Sequence, residues 1–497
     1  MKDGSFLLAI DQGTSATKAV LFNLEGTLVG RSDIPLTQHY PKPGWVEHDP
    51  EEIFAGLVRS VHCLMQETGT DLSSVRALSI SNQRETVILW DKETGRPVMH
   101  AIVWQCQRAE DLVSRLEQRN VANMVQRKTG LRLSPYFSAA KAAWIIEHSE
   151  DARQLLQQKR LLFGTVDSYL VWKLTGGKVH ATDFTNASRT QLLNLHTLDW
   201  DDELLSLFGL HRSMMPELRS SNASFGTTES SIFGCEIPIA GVIGDSHAAF
   251  FAQRCISKGS AKATYGTGSS VMMHIGSHAI PEVHKVVCSI GYAIDGQITY
   301  VLEGNINCTG ATIKWLVDDL ELISSSKEAG SLAASVEDTL GVYLVPAFVG
   351  LGSPYWDSRA RAAITHMSRG VKKAHIVRAA EESIAYQITD VIRAMESESG
   401  ITLQELRVDG GPTRDVFLMQ FQADILDVPV IRTEIEELSA AGAMYMGALA
   451  LHLYKDVQEL LALRGSGKRY TPSREDDWRK TLYDGWKRAV ATVTQAD

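Results

Sequence analysis

The residues best equipped for chemistry lie in short polar segments that each follow an apolar run. In SFLLAIDQGTSATKAVLF (residues 5–22), Asp11, Gly13, Thr14, Ser15, Thr17 and Lys18 crowd between two apolar stretches. Glycine lets the backbone approach a ligand closely, exposed N–H groups form an anion nest, hydroxyls donate to phosphate oxygens, and lysine adds positive charge. The segment reads as a phosphate cradle. It is not a P-loop, because GxxxxGK followed by Ser or Thr is absent. The nearest fragment, Arg464-Gly465-Ser466-Gly467-Lys468-Arg469, lacks the first glycine and the hydroxyl and reads as a surface turn. Asp11, at a strand end beside the cradle, suits a magnesium ion held through water, since magnesium keeps several waters and takes one or two carboxylates. A turn-forming aspartate accounts for that position equally well.

A second acidic centre is Asp245 in EIPIAGVIGDSHAAFFAQ, where Gly244 breaks an apolar run and a helical pattern begins. A carboxylate at a strand end and helix start can accept the proton of an attacking hydroxyl, which is what phosphoryl transfer asks of a base. An N-cap aspartate reads as well from this segment alone. The third constellation is Asn82-Gln83-Arg84-Glu85-Thr86. Adjacent Arg84 and Glu85 match neighbouring hydroxyls that each donate and accept, although a surface ion pair has the same spelling. Trp104 and Tyr136 would add an apolar wall and a hydroxyl, or would simply be core. Last, LRVDGGPTRDVFLMQFQADIL (residues 406–426) ends a strand in Asp409-Gly410-Gly411 before a helix. Glycines there allow a flat base or ribose to lie on the backbone, though an ordinary strand-to-helix turn looks alike.

The elements that must position these groups form an alternating α/β pattern. Residues 5–22 predict a hairpin with a polar tip. GSAKATYGTGSSVMMH (residues 259–274) repeats that layout about half a chain later, with the turn Gly266-Thr267-Gly268-Ser269 and a second strand from Val271. Two related units facing a cleft would place a ligand between the two tips. Helical periodicity marks residues 50–69, 141–159 and 375–400, the last stopping at Gly400, and residues 75–83 read as a strand. Residues 439–454, rich in small side chains, predict a closely packed core helix, since Gly442, Gly447 and His452 suit a membrane span poorly.

Bulk properties narrow the class. The chain has 497 residues, enough for two large domains or three smaller ones, with 44% hydrophobic and 22% charged residues. The formal charge of -10 and the interspersed signs give no basic stripe, so nucleic acid is not expected as a partner. Neither a long apolar run nor a signal-peptide pattern is present, which predicts a cytoplasmic protein without membrane insertion. Cys63, Cys106, Cys235, Cys255, Cys288 and Cys308 are scattered, without zinc or redox spacing, and most read as small buried hydrophobes.

The strings IDQGTSATKAVLF, HYPKPGWVEHDPEEI, SNQRETVILWDKETGRP, AIVWQCQR, LLFGTVDSYLVWKLTGG, TDFTNASRTQLLNLHTLDWDD, GVYLVPAFVGLGSPYWD and LRVDGG run in order through nearly the whole chain. Together they resemble the FGGY family of carbohydrate kinases, and within it the members that act on glycerol. The resemblance implies two actin-like (ribonuclease-H-like) α/β domains flanking a catalytic cleft, with residues 1–253 contacting polyol and phosphate and 254–497 binding nucleotide. It implies ATP with magnesium and transfer of the γ-phosphoryl to a terminal hydroxyl of a small polyol. By position it makes Asp245 the base, assigns polyol contacts to Arg84, Glu85, Trp104 and Tyr136, and gives Asp11 to magnesium. It gives Thr14, Ser15, Thr17, Lys18, Gly266, Thr267, Gly310, Lys314, Gly411 and Asp415 to the nucleotide. Homodimers and homotetramers are common among such kinases.

Five departures from the family pattern bear on substrate, control, base contacts and local packing. Ser246 stands where the glycerol-specific members have a Gln that bonds a glycerol hydroxyl, and Ser270 where they have a Phe packed on the glycerol carbons. Both enlarge the pocket and make it more polar, so erythritol, erythrulose or a pentulose competes with glycerol as acceptor. Glu236 replaces an arginine that binds the inhibitor fructose 1,6-bisphosphate in some bacterial members, and an acid there repels phosphate. Asp415 replaces an asparagine near the adenine, and His366 a glycine in the second family signature. A non-catalytic polyol sensor and a chaperone-like ATPase are the readings from other classes. Intact Asp11 and Asp245 argue against the first, and Arg84, Glu85 and Trp104 against the second.

Overall fold

The computed structural model describes residues 5–462 and 467–494. Residues 464–466 of the glycine-containing fragment noted above therefore lie outside the described residues. Strand Phe6–Gln12 is buried along most of its length, and its residues through Ile10 form a continuous apolar run, as a strand covered on both faces should. It pairs antiparallel with Ala16–Asn23, which pairs antiparallel with Leu28–Pro35. On its other edge it pairs parallel with Val75–Asn82, which pairs parallel with Pro238–Gly244, and Ser224–Thr227 closes the sheet antiparallel.

The second half repeats this order. Ser260–Tyr265 pairs antiparallel with Ser269–Gly276, which pairs with Gln297–Ile306. Its other edge carries Glu405–Asp409 and Val430–Arg432 in parallel, then Lys468–Tyr470 antiparallel, while Val287–Ile294 is added outside Gln297–Ile306. The likeness of the two hairpins is thus an identity of sheet order, and both polar tips, Gly13-Thr14-Ser15 and Gly266-Thr267-Gly268, join the first two strands of their sheets. The second strand starts at Ser269 rather than Val271, because Ser269 is already paired with Tyr265.

Helices fall largely where periodicity put them. Pro50–Thr68 has Asp49 as N-cap, its side chain accepting from the Glu51 N–H, and ends at Gly69 in a left-handed conformation. Lys373–Ser399 ends at Gly400 in the same way. The single helix expected over 141–159 is two helices, Ser138–His148 and Glu150–Gln157. Ser149 is extended (φ -116°, ψ 119°) and caps the second through an Ala152 N–H bond, a local bond that competes with helix continuation.

Two helices join the halves. Asp245–Ala252 follows the parallel strand Pro238–Gly244, and Leu438–Ala450 follows the equivalent strand Val430–Arg432. They pack on each other, and the small residues set the spacing. A Cβ at Gly442 would lie 2.1 Å from the Ala248 carbonyl, and one at Gly447 would lie 2.2 Å from Ser79 Oγ. The small-residue segment is therefore a core helix, and among the described residues no helix is long and apolar enough to cross a membrane.

Candidate active site

Asp11 and Asp245 are brought to one cavity by the strand ends that carry them. In the first sheet Asp11 lies opposite Lys18 and beside Ser81, while Gly244 lies beside Asn82, so the two carboxylates emerge at one edge. The cavity, of about 1200 Å³, is also walled by Ser246, Lys262, Thr264, Asp409 and the Gly410-Gly411 turn. Asp11 Oδ1 accepts from Ser81 Oγ (2.7 Å), and burial pushes its carboxyl up to about 6, with the Asp245 charge adding in the same direction. Asp245 is the first helical residue rather than the N-cap, which is Gly244. Its Oδ1 accepts from the Ser246 N–H (2.6 Å) and faces Arg84 Nε (3.2 Å), and its side chain keeps 34% exposure toward the cavity. Oδ2 has no hydrogen-bond partner among the described residues.

Arg84 and Glu85 follow strand Val75–Asn82 but are no surface pair. Arg84 lies across Gly244, where a Cβ would sit 2.9 Å from its side-chain carbons. Its Nη1 and Nη2 donate to Glu303 Oε2 and Oε1 (2.9 and 3.0 Å), and Arg189 Nη1 lies 3.0 Å from Glu303 Oε2. Glu85, held at φ 61°, accepts from Arg189 Nε (2.6 Å). This conformation is costly for a non-glycine residue and persists because its surroundings determine it. Trp104 and Tyr136 meet edge to face with ring centroids 5.6 Å apart, and Trp104 Nε1 donates to Thr14 Oγ1 (3.0 Å). Of the four residues expected to hold a polyol, Arg84 faces Asp245, and Glu303 and Arg189, neither of which the sequence singled out, tie Arg84 to Glu85, while Trp104 and Tyr136 form a separate pair beside Thr14.

A second cavity, of about 670 Å³, is lined by Gly266, Thr267, Gly310, Lys314, Gly411 and Asp415, all six residues assigned to nucleotide in this half. Gly411 and Arg414 line both cavities, so the two adjoin. Gly310 starts helix Gly310–Asp318 against the Gly266 carbonyl, where a Cβ would come within 2.6 Å. Asp415 caps helix Val416–Leu426 by accepting from the Leu418 N–H (3.1 Å). Glu381 also lines this cavity, 3% exposed, with Oε2 unpartnered and its carboxyl pushed up to about 8 by burial.

Of the first tip, Ser15 is exposed, and Thr14 is engaged by the indole of Trp104. Thr17 is placed differently from the expectation. Alternation along Ala16–Asn23 turns it to the opposite face from Lys18, buried against Gly56 and Ile34, so its hydroxyl does not face the cavity. Lys18 does line the cavity, but its Nζ donates to Oε2 of Glu437 (2.7 Å), whose Oε1 pairs with Arg31. Ser270 lies opposite Asn305 on neighbouring strands, one pleat beyond Glu303, and its buried Oγ has no partner.

The family profile described as FGGY family of carbohydrate kinases, N-terminal domain, matches residues 6–252, and the corresponding C-terminal domain matches residues 261–451. The chain belongs to the FGGY family of carbohydrate kinases. As an FGGY kinase it is an ATP-dependent carbohydrate or polyol kinase with the two-domain α/β fold of that family. It is 48% identical over 491 residues to the glycerol kinase of Carboxydothermus hydrogenoformans, covering 99% of this chain and 98% of that protein. It is 46% identical over 486 residues to the glycerol kinase of Staphylococcus epidermidis, covering 98% and 97%. Among solved structures, Plasmodium falciparum glycerol kinase with ADP superposes with a TM-score of 0.95 at 34% identity, over 98% of both chains. A gluconate kinase from Lactobacillus acidophilus, 21% identical with a TM-score of 0.89, shares the fold.

Proposed function

We propose that this FGGY kinase transfers the γ-phosphoryl group of ATP to a terminal hydroxyl of glycerol, giving glycerol 3-phosphate and ADP. The observation that carries it is the placement of Asp245 beside Arg84, in a cavity that adjoins the glycine-lined nucleotide cavity. Relatives named glycerol kinase at 45–48% identity support the choice of acceptor. Glu85, Trp104, Tyr136 and Arg84 hold the polyol. Arg84, anchored by Glu303, offers its Nε edge toward Asp245 and fixes the base. Asp245 Oδ2 takes the acceptor proton as the new oxygen–phosphorus bond forms and the bond between γ-phosphorus and the β-bridging oxygen breaks. Gly266, Thr267, Gly310, Lys314, Gly411 and Asp415 hold the nucleotide.

Magnesium suits the same cavity. Asp11 and Asp245 both face it, and burial and mutual repulsion hold the Asp11 carboxyl up, a tension that a divalent cation reverses. No group of three or more His, Cys, Asp or Glu among the described residues is arranged to hold a metal, which fits an ion bound mostly through water and phosphate oxygens. Bound with the nucleotide, magnesium supplies charge neutralisation on the phosphates.

A second reading, an acceptor longer than glycerol, is favoured by one observation. Ser270 Oγ is buried without a partner, and the Asn305 side chain opposite it makes no hydrogen bond among the described residues. The buried Ser270 hydroxyl, with the Asn305 amide opposite it, offers a further hydroxyl or carbonyl of a tetritol, tetrulose or pentulose a place to bond.

ADP release with ATP and magnesium across glycerol, dihydroxyacetone, erythritol, erythrulose, xylulose and ribulose, with Asp245→Asn as control, separates the readings. Fastest turnover with glycerol, lost in the control, supports the first. A higher kcat/KM for a four- or five-carbon acceptor replaces it with the second.

A further inference from the structure

The cation expected at the phosphates from sequence, Lys18, is already held by Glu437. A different lysine has no such partner. Lys262 lies on strand Ser260–Tyr265, where Ala261 and Ala263 face the core and Lys262 and Thr264 face the cleft. It is 1% exposed, yet among the described residues no carboxylate comes within salt-bridge distance of its ammonium. Its hydrogen bond runs to Thr264 Oγ1 (2.8 Å), and that hydroxyl donates in turn to Asp409 Oδ1 (2.8 Å). Gln253 Nε2 donates to the same oxygen (2.9 Å), so the Asp409 charge reaches the ammonium only across the Thr264 hydroxyl and not through a direct pair.

An ammonium has three donors, and only one is used here. Burying a cation without a directly paired counter-ion is costly unless something anionic completes the site. Its surroundings say what that anion is. Lys262 lines the central cavity together with Asp245 and the Gly410-Gly411 turn, and Gly411 also lines the nucleotide cavity. A group passing from the nucleotide cavity to a hydroxyl at Asp245 enters the cavity that Lys262 lines. The phosphoryl group in transit carries its charge on three equatorial oxygens, and pre-placed donors aimed at them are the main catalytic device open to the protein.

We infer that Lys262 is a catalytic residue, donating to a non-bridging oxygen of the γ-phosphoryl group as it leaves the nucleotide and reaches the acceptor oxygen. Thr264 aims the ammonium by taking up one of its donors. The inference rests on the kinase reading above and adds to it the group that stabilises transferred charge.

The test compares wild type, Lys262→Met, Lys262→Arg, Lys262→Ala and Thr264→Val for kcat, both KM values and thermal midpoint with ATP and glycerol. Lys262→Met is expected to lose about 10²–10³-fold in kcat, with both KM values nearly unchanged and no fall in thermal midpoint. Lys262→Arg should recover part of the rate, and ethylammonium added to Lys262→Ala should raise its kcat in a saturable way. A Met variant with near wild-type kcat, or a loss carried wholly by KM, overturns the inference. Should that variant fail to fold, Thr264→Val decides, since it keeps the charge and frees its anchor. A lower kcat at unchanged KM supports the inference, and an unchanged kcat overturns it. A wild-type protein that phosphorylates no polyol overturns the kinase reading and this inference together, whereas active wild type with an equally active Met variant removes only the latter.

Discussion

Arg84 and Glu303 meet through two parallel hydrogen bonds of 2.9 and 3.0 Å although 219 residues separate them, and this pair ties the two sheets together under the acceptor site. Arg189 approaches the same carboxylate, so one anion serves two arginines, and their fields hold the Glu303 carboxyl far below the usual range despite its burial. Arg84 is thereby fixed at the distance from Asp245 that the proposed chemistry uses. The residues proposed to hold the polyol and the contact between the halves thus share Arg84 and its network.

Glu303→Gln should therefore act on both stability and acceptor binding. Removing the charge leaves two buried guanidinium groups short of a counter-ion, and breaking such a pair costs about 3–5 kcal/mol. Denaturant unfolding should show that loss, and KM for glycerol should rise because Arg84 is no longer held. An unchanged unfolding midpoint would mean that water replaces the carboxylate at no penalty.

Glu381 predicts a pH effect with a definite sign. Burial lifts its carboxyl to about 8, above the 4.5 of the free group. The folded state thus holds a proton that the unfolded chain releases, and stability falls as pH rises from about 4.5 to 8. Asp11 and Asp390, raised to about 6, act with the same sign over a lower window. Glu381→Gln should remove its own share, so thermal midpoints from pH 5 to 9 should decline less steeply than in wild type. Parallel curves would place Glu381 in contact with water after all.

Gly411 lines both cavities, and a Cβ there meets nothing within 4 Å. Gly411→Ala should fold as well as wild type, yet project a methyl group into nucleotide space. One methyl group in a fitted pocket alters binding by about 1–3 kcal/mol. The expected outcome is a raised KM for ATP with an unchanged thermal midpoint and an unchanged KM for glycerol.

What the sequence disclosed and what it hid follow from how each residue is placed. Gly13, Gly266, Gly411, Asp11 and Asp245 sit at strand ends next to turns, where an apolar run stopping at a polar residue is a local signal. The duplicated sheet order was legible for the same reason, since both hairpins end in Gly-Thr tips. Glu303, Lys262 and Glu381 lie inside regular elements among apolar neighbours, and each gains its meaning from a partner or cavity formed by distant chain. Arg189 could have been suspected as a charged residue within TDFTNASRTQLLNL, but nothing nearby in sequence names Glu85 and Glu303 as its partners. Thr17 shares the hydroxyl-rich composition of the tip, but the strand's alternation sends it to the opposite face from Lys18. The helix break at Ser149 was missed because Glu150 and Asp151 continue the charge pattern while the serine side chain ends the backbone ladder.

Ser270 offers a comparison in which stability and specificity move in opposite directions. Its buried hydroxyl lacks a partner, so Ser270→Ala removes an unsatisfied group and should stabilise the protein by about 1–3 kcal/mol. If glycerol alone is the acceptor, that variant keeps wild-type kcat/KM for glycerol. If the hydroxyl serves a longer acceptor together with Asn305, kcat/KM for erythritol or erythrulose falls at least tenfold while glycerol is spared, because the substrate hydroxyl then loses its bond in a desolvated site. Adding bulk tests the same space from the other side. Ser246→Gln with Ser270→Phe should raise kcat/KM for glycerol relative to four-carbon acceptors, and a ratio unmoved by both changes would show that the backbone, rather than these two side chains, sets the size of the pocket.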